Sequence, residues 1–261
     1  MTTAVGSMPL AAFDLETTGV DPANDRIVSA HLARIVIDEH GTADMSGRNW
    51  ILNPGMEIPV SASKVHGITT EHAREHGQDY SAGYAEIRAA LDKAWADGFI
   101  VVVFNAPFDL TMMHAQGVRL GHAELAPGAV FDPLVIDKAM DQFRSGKRTL
   151  TTQCQHYGVK LDNAHEAKAD AVAAARLAWK MLRGYDFTTA TVEQIMECQT
   201  RWYAEQQENF ARYLRKIARN ITEPDENGCS VDEQKTNLLA RADGITVDWP
   251  IRLSLGQRSA A

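Results

Sequence analysis

The chain has 261 residues, with 26 basic against 34 acidic side chains for a formal net charge of −8, and it is 45% hydrophobic and 23% charged. This is ordinary globular composition, which excludes collagen-like, disordered and membrane-embedded classes. The acidity also argues against a protein that grips nucleic acid chiefly through its phosphates, because such a protein should be basic.

Up to about residue 185 the text alternates strands and helices. Residues 9–16 form a short apolar run ending in two acids, residues 26–38 are β-branched and roughly alternating, and residues 50–52 read as a third strand before the Asn53-Pro54-Gly55 turn. Three strands joined by short turns predict an antiparallel start. A helix is expected over 81–98, where Tyr84, Ile87, Leu91 and Trp95 recur at helical spacing and Gly98 is the stop. The unbroken apolar run 99–104 reads as a strand with helices on both faces. It is the longest such run and falls far short of the ~20 residues of a bilayer span, so no membrane contact is expected. Further helices are expected over 107–117, 133–142, 150–157 and 167–182, and the whole reads as a mixed α/β sandwich.

A different piece follows. Residues 192–219 predict a long amphipathic helix with Val192, Ile195, Trp202, Phe210, Leu214 and Ile217 on one broad side. Arg212, Arg215, Lys216 and Arg219 form a basic stripe near its end, either a solvated face that suits the helix dipole or a contact for a nucleic-acid backbone. Residues 220–248 read as polar and turn-rich, and 249–256 as a short docking strand. The expected organisation is a domain over 1–185 and a C-terminal extension over 186–261. The first ten residues show no secretory pattern. Cys154, Cys198 and Cys229 are odd in number and lack CxxC spacing, so neither a disulfide framework nor a thiolate zinc site is expected, and a reducing cytoplasm is the expected location.

Three constellations carry chemistry. In Phe13-Asp14-Leu15-Glu16-Thr17-Thr18-Gly19, residues two apart share a strand face, so Asp14 and Glu16 point into one site. Adjacent carboxylates repel unless cations lie between them, and such hard oxygen ligands suit Mg²⁺ or Mn²⁺ rather than zinc. Gly19 permits a tight turn, leaving the Thr17 backbone and hydroxyl to a ligand. The second is Asn105-Ala106-Pro107-Phe108-Asp109, just after a strand, where α/β proteins gather ligands; Asp109 falls in the first turn of the next helix, a position that also suits the helix dipole alone. The third is His165-Glu166-Ala167-Lys168-Ala169-Asp170. A five-residue step is about 140° around a helix, which places His165 in the loop or first turn and Asp170 on the helix, both aimed at one pocket. Histidine titrates near pH ~6.5 and suits a general base.

In their order and spacing these motifs resemble the DEDDh branch of the DEDD exonuclease superfamily, the group of the DnaQ-like polymerase III epsilon subunits, over roughly residues 9–182. The resemblance implies a ribonuclease H-like α/β fold, a mixed central sheet flanked by helices, here with a C-terminal helical extension. It makes Asp14, Glu16, Asp109 and Asp170 the metal-binding acids and His165 the catalytic histidine. Lys64-Val65-His66-Gly67-Ile68 resembles the family's loop beside the terminal nucleotide. By the same resemblance Val65 and Phe108 flank the last base, Thr17 and His66 touch the nucleotide, Asn105 joins the substrate-binding set, and Asp132 lies near the pocket.

The implied activity is a 3′–5′ exonuclease that releases nucleoside 5′-monophosphates from single-stranded 3′ ends, with DNA the expected substrate. The implied cofactors are two divalent cations, Mg²⁺ or Mn²⁺, ~3.5–4 Å apart, with His165 taking the proton of the attacking water. Four carboxylates and two such ions leave the site near neutral, so part of the acidity is functional, and binding through metal and a stacked base needs no basic surface. The alternatives are an exoribonuclease or oligoribonuclease, and a module that binds nucleic-acid ends without cutting. The sequence leaves open a DNA polymerase or self-association as the business of residues 186–261. His72-Ala73-Arg74-Glu75-His76 also fits the inverted zincin pattern, although no supporting acidic helix follows.

Overall fold

The computed structural model describes residues 4–37, 43–161, 166–226 and 228–252. Strands β1 (Leu10–Thr17), β2 (Ile27–Ile37) and β3 (Ala43–Ile51) form the expected antiparallel meander, and β4 (Ile100–Val102) and β5 (Val130–Phe131) add in parallel on the far side of β1, giving the order β3-β2-β1-β4-β5. The helices are α1 (Val60–His66), α2 (Thr70–His76), α3 (Tyr80–Ala96), α4 (Ala106–Arg119), α5 (Pro133–Met140), α6 (Leu150–His156), α7 (Ala167–Gly184), α8 (Val192–Asn220) and α9 (Val231–Asp243). Among the described residues no helix is long and apolar enough to cross a membrane.

The two-residue period of β1 sorts its side chains onto two cores. Ala11, Phe13 and Leu15 pack with Tyr84, Ile87 and Leu91 of α3 and Leu110 and Met113 of α4. Leu10 faces the other way, against Leu177, Ala178 and Met181 of α7, Ile136 of α5 and Cys154 of α6. On that second face Ala12 of β1 and Ala33 of β2 meet Ala171 and Ala175 of α7. Four methyl groups leave little between helix and sheet, so the alanine-rich helix lies close upon β1 and its N-terminal turn reaches the positions that follow Ala12.

Several elements differ from expectation. β3 is nine residues long rather than confined to 50–52; its polar positions Asp44, Ser46 and Arg48 are exposed, as suits an outer strand and as hides the pattern. Helices α1 and α2 escape a periodicity reading because each spans seven residues; Ile58, Ala73, Ala62 and Ile68 anchor them on Val28 of β2. Residues 220–248 are not all turn: α9 lies within them, capped by Ser230 and packed on α8 through Leu238, Ala242, Ala211 and Leu214. The segment from Trp249 docks without forming a strand in its described part; Trp249 and Ile251 are buried in the main core.

Helix α8 buries Ile195 and Leu214 of the predicted side and packs Val192 and Trp202 partly buried against the core, and it departs from that side at Phe210. Its buried positions are Ile195, Gln199, Tyr203, Ala211, Leu214 and Ala218, whereas Phe210 is 37% exposed and lies beneath the Arg241 guanidinium. Of the basic stripe, Arg215 pairs with Asp243 of α9 at 2.8 Å and Arg212 bonds the Asn209 side chain.

Candidate active site

Asp14 and Glu16 stand on the α7 face of β1, past the last pair of the β1–β4 ladder, Ala12 with Val102. Asp170 occupies the first turn of α7. The ligand atoms of these three carboxylates lie within 4.8 Å of one another. Beyond the end of the ladder the backbone N–H of Leu15, between the two strand acids, donates instead to Asp109 Oδ1 at 2.9 Å. Asp109 is buried in the first turn of α4, so that turn is tied to β1 at the acid pair.

The electrostatics follow from this crowding. Burial holds the Asp14 carboxyl well above its ordinary range, and the charges of Asp109, Glu16 and Asp170 push it further in the same direction. Glu16 is raised to about 8, first by burial and then by Asp170. Asp109 is also raised by burial, against the pull of the Leu15 N–H. Mutually repelling hard oxygen donors at this spacing fit a divalent cation. No such convergence forms around His72, Glu75 and His76 among the described residues: they lie on α2, which Gly77 ends after seven residues.

The flanking residues sit around this cluster. Thr17 is buried at the end of β1, and its hydroxyl donates to Gly19 O at 2.6 Å, which leaves its oxygen able to accept. A Cβ at Gly19 would overlap the Asp25 carboxylate and push it from its bonds with Thr18 Oγ1 and Asp21 N. His66 ends α1, half-buried, with Nδ1 accepting from Ile68 N; burial lowers its basicity and the Thr17 backbone opposes that. Val65 beside it is 52% exposed, an apolar group offered to solvent. Asn105 caps α4 in the left-handed conformation, φ 66°, without a side-chain cap bond, and Phe108 is partly buried one residue before Asp109. His165 lies outside the described residues.

Asp132 is fully buried at the head of α5 and organises the backbone behind the cluster. Its carboxylate accepts from Asn105 N at 3.0 Å, Ala106 N at 2.9 Å and Leu134 N at 2.9 Å, and so joins the heads of α4 and α5. Burial raises it to about 6 against the pull of these N–H groups. Sequence reasoning missed two further supports. Gln116 of α4 donates to Asp25 O and Pro22 O and accepts from Tyr80 Oη, pinning the loop that follows β1. Gln199 of α8 bonds the outer strand beside Asp132. One signal for Gln199 was present, since it lies four residues from both Ile195 and Tyr203, in line with the apolar row.

Several known proteins are similar to this chain. A DNA polymerase III subunit epsilon-like protein of Rhodobacter capsulatus is 27% identical over 183 residues, 69% of this chain but 24% of that protein. A DNA polymerase III subunit epsilon of Rickettsia felis is 26% identical over 194 residues, 70% of this chain and 78% of that protein. This chain therefore spans about a quarter of the first relative's length. Among solved structures, E. coli exonuclease I in complex with a dT13 oligonucleotide superposes with a TM-score of 0.58 at 20% identity, covering 69% of this chain and 43% of that one. That likeness concerns the fold, which is ribonuclease H-like. Residues 11–178, which hold both strand acids, Asp109 and Asp170, match the RNase_T exonuclease family, and the chain belongs to it.

Proposed function

We propose that the chain is a metal-dependent 3′–5′ exonuclease that releases nucleoside 5′-monophosphates from single-stranded 3′ ends, with DNA as its substrate. The observation that carries this reading is the convergence of Asp14 and Glu16 from β1 with Asp170 from α7. Asp14, Glu16, Asp109 and Asp170 would hold two divalent cations, Mg²⁺ or Mn²⁺, which when bound supply water activation and charge neutralisation at the phosphate. Val65 and Phe108 pack against the terminal base, while Thr17, His66 and Asn105 contact its sugar and phosphate. His165 takes one proton of the attacking water as its oxygen bonds to phosphorus, the P–O3′ bond breaks, and the leaving O3′ takes a proton from solvent to become the 3′ hydroxyl of the shortened strand. The names of the relatives support a DNA polymerase as partner, for which, or for self-association, residues 186–261 would serve, and three free cysteines suit a reducing, cytoplasmic setting.

The test is digestion of end-labelled, length-matched DNA and RNA with Mg²⁺, Mn²⁺ or EDTA. Monophosphate release from DNA that EDTA abolishes, and that His165→Ala lowers by about 10²–10⁴-fold, is the expected result. Preferential RNA cleavage would move the substrate to RNA. Retention of labelled ends without release would make the chain a binding module.

A further inference from the structure

β5 is the outer strand of the sheet, and its free edge lies against α8. Two atoms of that edge, Val130 O and Asp132 N, are met by one side chain: Gln199 Nε2 donates to Val130 O at 2.9 Å and Gln199 Oε1 accepts from Asp132 N at 2.7 Å. The amide thus supplies the donor and acceptor that one residue of a sixth strand would supply, and Nε2 also donates to Ile195 O of its own helix at 3.1 Å. Gln199 is fully buried. It lies beyond residue 178, where the family match ends.

We propose that Gln199 is a positioning residue for the acid cluster, which makes α8 a working part of the nuclease site. This rests on the functional reading above for what the cluster does, but the geometry that carries it is independent of substrate. Gln199 fixes the Asp132 backbone; the Asp132 carboxylate fixes the Asn105 and Ala106 N–H groups; these set the first turn of α4; and from that turn Asp109 reaches the N–H of Leu15 between Asp14 and Glu16. Each link is a bond of 3.0 Å or less between buried or partly buried groups. In such sites the groups behind the ligands typically account for about 10–100-fold in metal affinity or activity.

The experiment uses the full chain at room temperature, well below unfolding, and titrates Mn²⁺ into wild type, Gln199→Met and Gln199→Glu by electron paramagnetic resonance, alongside amide exchange and steady-state kinetics. Gln199→Met keeps length but cannot bond the edge. It is expected to weaken Mn²⁺ binding about tenfold or more, to speed exchange at Ala106 and Leu15, and to lower kcat with KM within about twofold. Gln199→Glu keeps the acceptor for Asp132 N but sets a carboxylate oxygen against Val130 O and Ile195 O, so it is expected to recover the affinity only in part. Wild-type Mn²⁺ affinity and exchange in a folded Gln199→Met protein would overturn the proposal and leave Gln199 a packing residue. Should that variant not fold, Gln199→Asn, an amide one methylene too short to span both atoms, carries the same expectations, and failure of both to fold would assign the residue to stability alone. If the wild type cuts no nucleic acid, the metal and exchange readouts still decide the point.

Discussion

Asp137 of α5 is fully buried, and the chain supplies its counter-charges, Arg144 at 2.6 Å and Arg148 at 2.7 Å, with a further hydrogen bond from the Tyr157 hydroxyl at 2.8 Å. Asp14 is surrounded differently, because the charges that act on it belong to Asp109, Glu16 and Asp170. Both arrangements take carboxylates out of water, which is costly without compensation. At Asp137 two guanidinia close the account within the polypeptide. At Asp14 the deficit is left for a cation from solution, so the first cluster is expected to serve folding and the second to respond to metal.

The comparison is broken most severely at the second cluster. Asp14→Asn preserves shape and removes one charge; nuclease activity is expected to fall about 10³-fold or more, the equivalent of several kcal/mol of lost charge stabilisation. The melting temperature without metal is expected to stay the same or rise, since a repelling charge is gone. Activity near that of wild type would remove Asp14 from the site. At the first cluster Arg148→Met is expected to lower stability by about 3 kcal/mol, the lower end for a broken buried pair because Arg144 remains. Urea unfolding measures this, and a change below about 1 kcal/mol would show that Asp137 is satisfied without Arg148.

A gentler probe is pH. Glu16, raised to about 8, holds its proton in the folded chain over a range where the unfolded chain has lost it. Stability from this group is therefore present at low pH and is lost as pH rises from its ordinary value toward about 8. His31, His66 and His114 oppose this lower down, because burial lowers their pKa values from about 6.5. At about pH 6.5 the unfolded histidines are still about half protonated and become neutral roughly one unit higher, so the melting temperature in EDTA is expected to fall from there toward the top of the Glu16 range, about 8. Mn²⁺ is expected to raise it, by more at the upper end, because binding requires the ionised acids. A metal-induced shift that does not grow with pH would separate the acids from the ion. The smallest effect is expected at α2: His72→Ala should leave activity within about twofold and the metal response unchanged, as an exposed residue away from the cluster.

The acids were legible in the sequence because their placement is local. A two-residue period puts Asp14 and Glu16 on one face, and helix starts put Asp109 and Asp170 in first turns. What remained hidden depends on contacts between distant segments or on elements too short to show a period. β5 is two residues long, and the residue that secures it lies 69 positions away. In α8 the apolar side chains pointed to the side of Ile195 and Leu214, which is buried, but they also took in Phe210, which is exposed, and passed over Gln199, a buried amide. A hydropathy pattern counts that glutamine as polar and therefore outside, whereas its hydrogen bonds place it within. The short first helices are likewise held by a few contacts with Val28 rather than by periodicity of their own.

Arg252, near the end of the described chain, donates its backbone N–H to Thr111 Oγ1 at 2.9 Å and its side chain to Pro107 O at 3.3 Å, across 141 and 145 residues of sequence. The helix that carries Asp109 is thus gripped by a segment that is synthesised well after it, and later still than Asp14 and Glu16. A growing polypeptide holds its acids early but lacks the clasp on that helix until translation has passed this point. The order of synthesis therefore delays completion of the helix's surroundings, and ribosome-stalled chains of increasing length would show when the structure around Asp109 becomes protected.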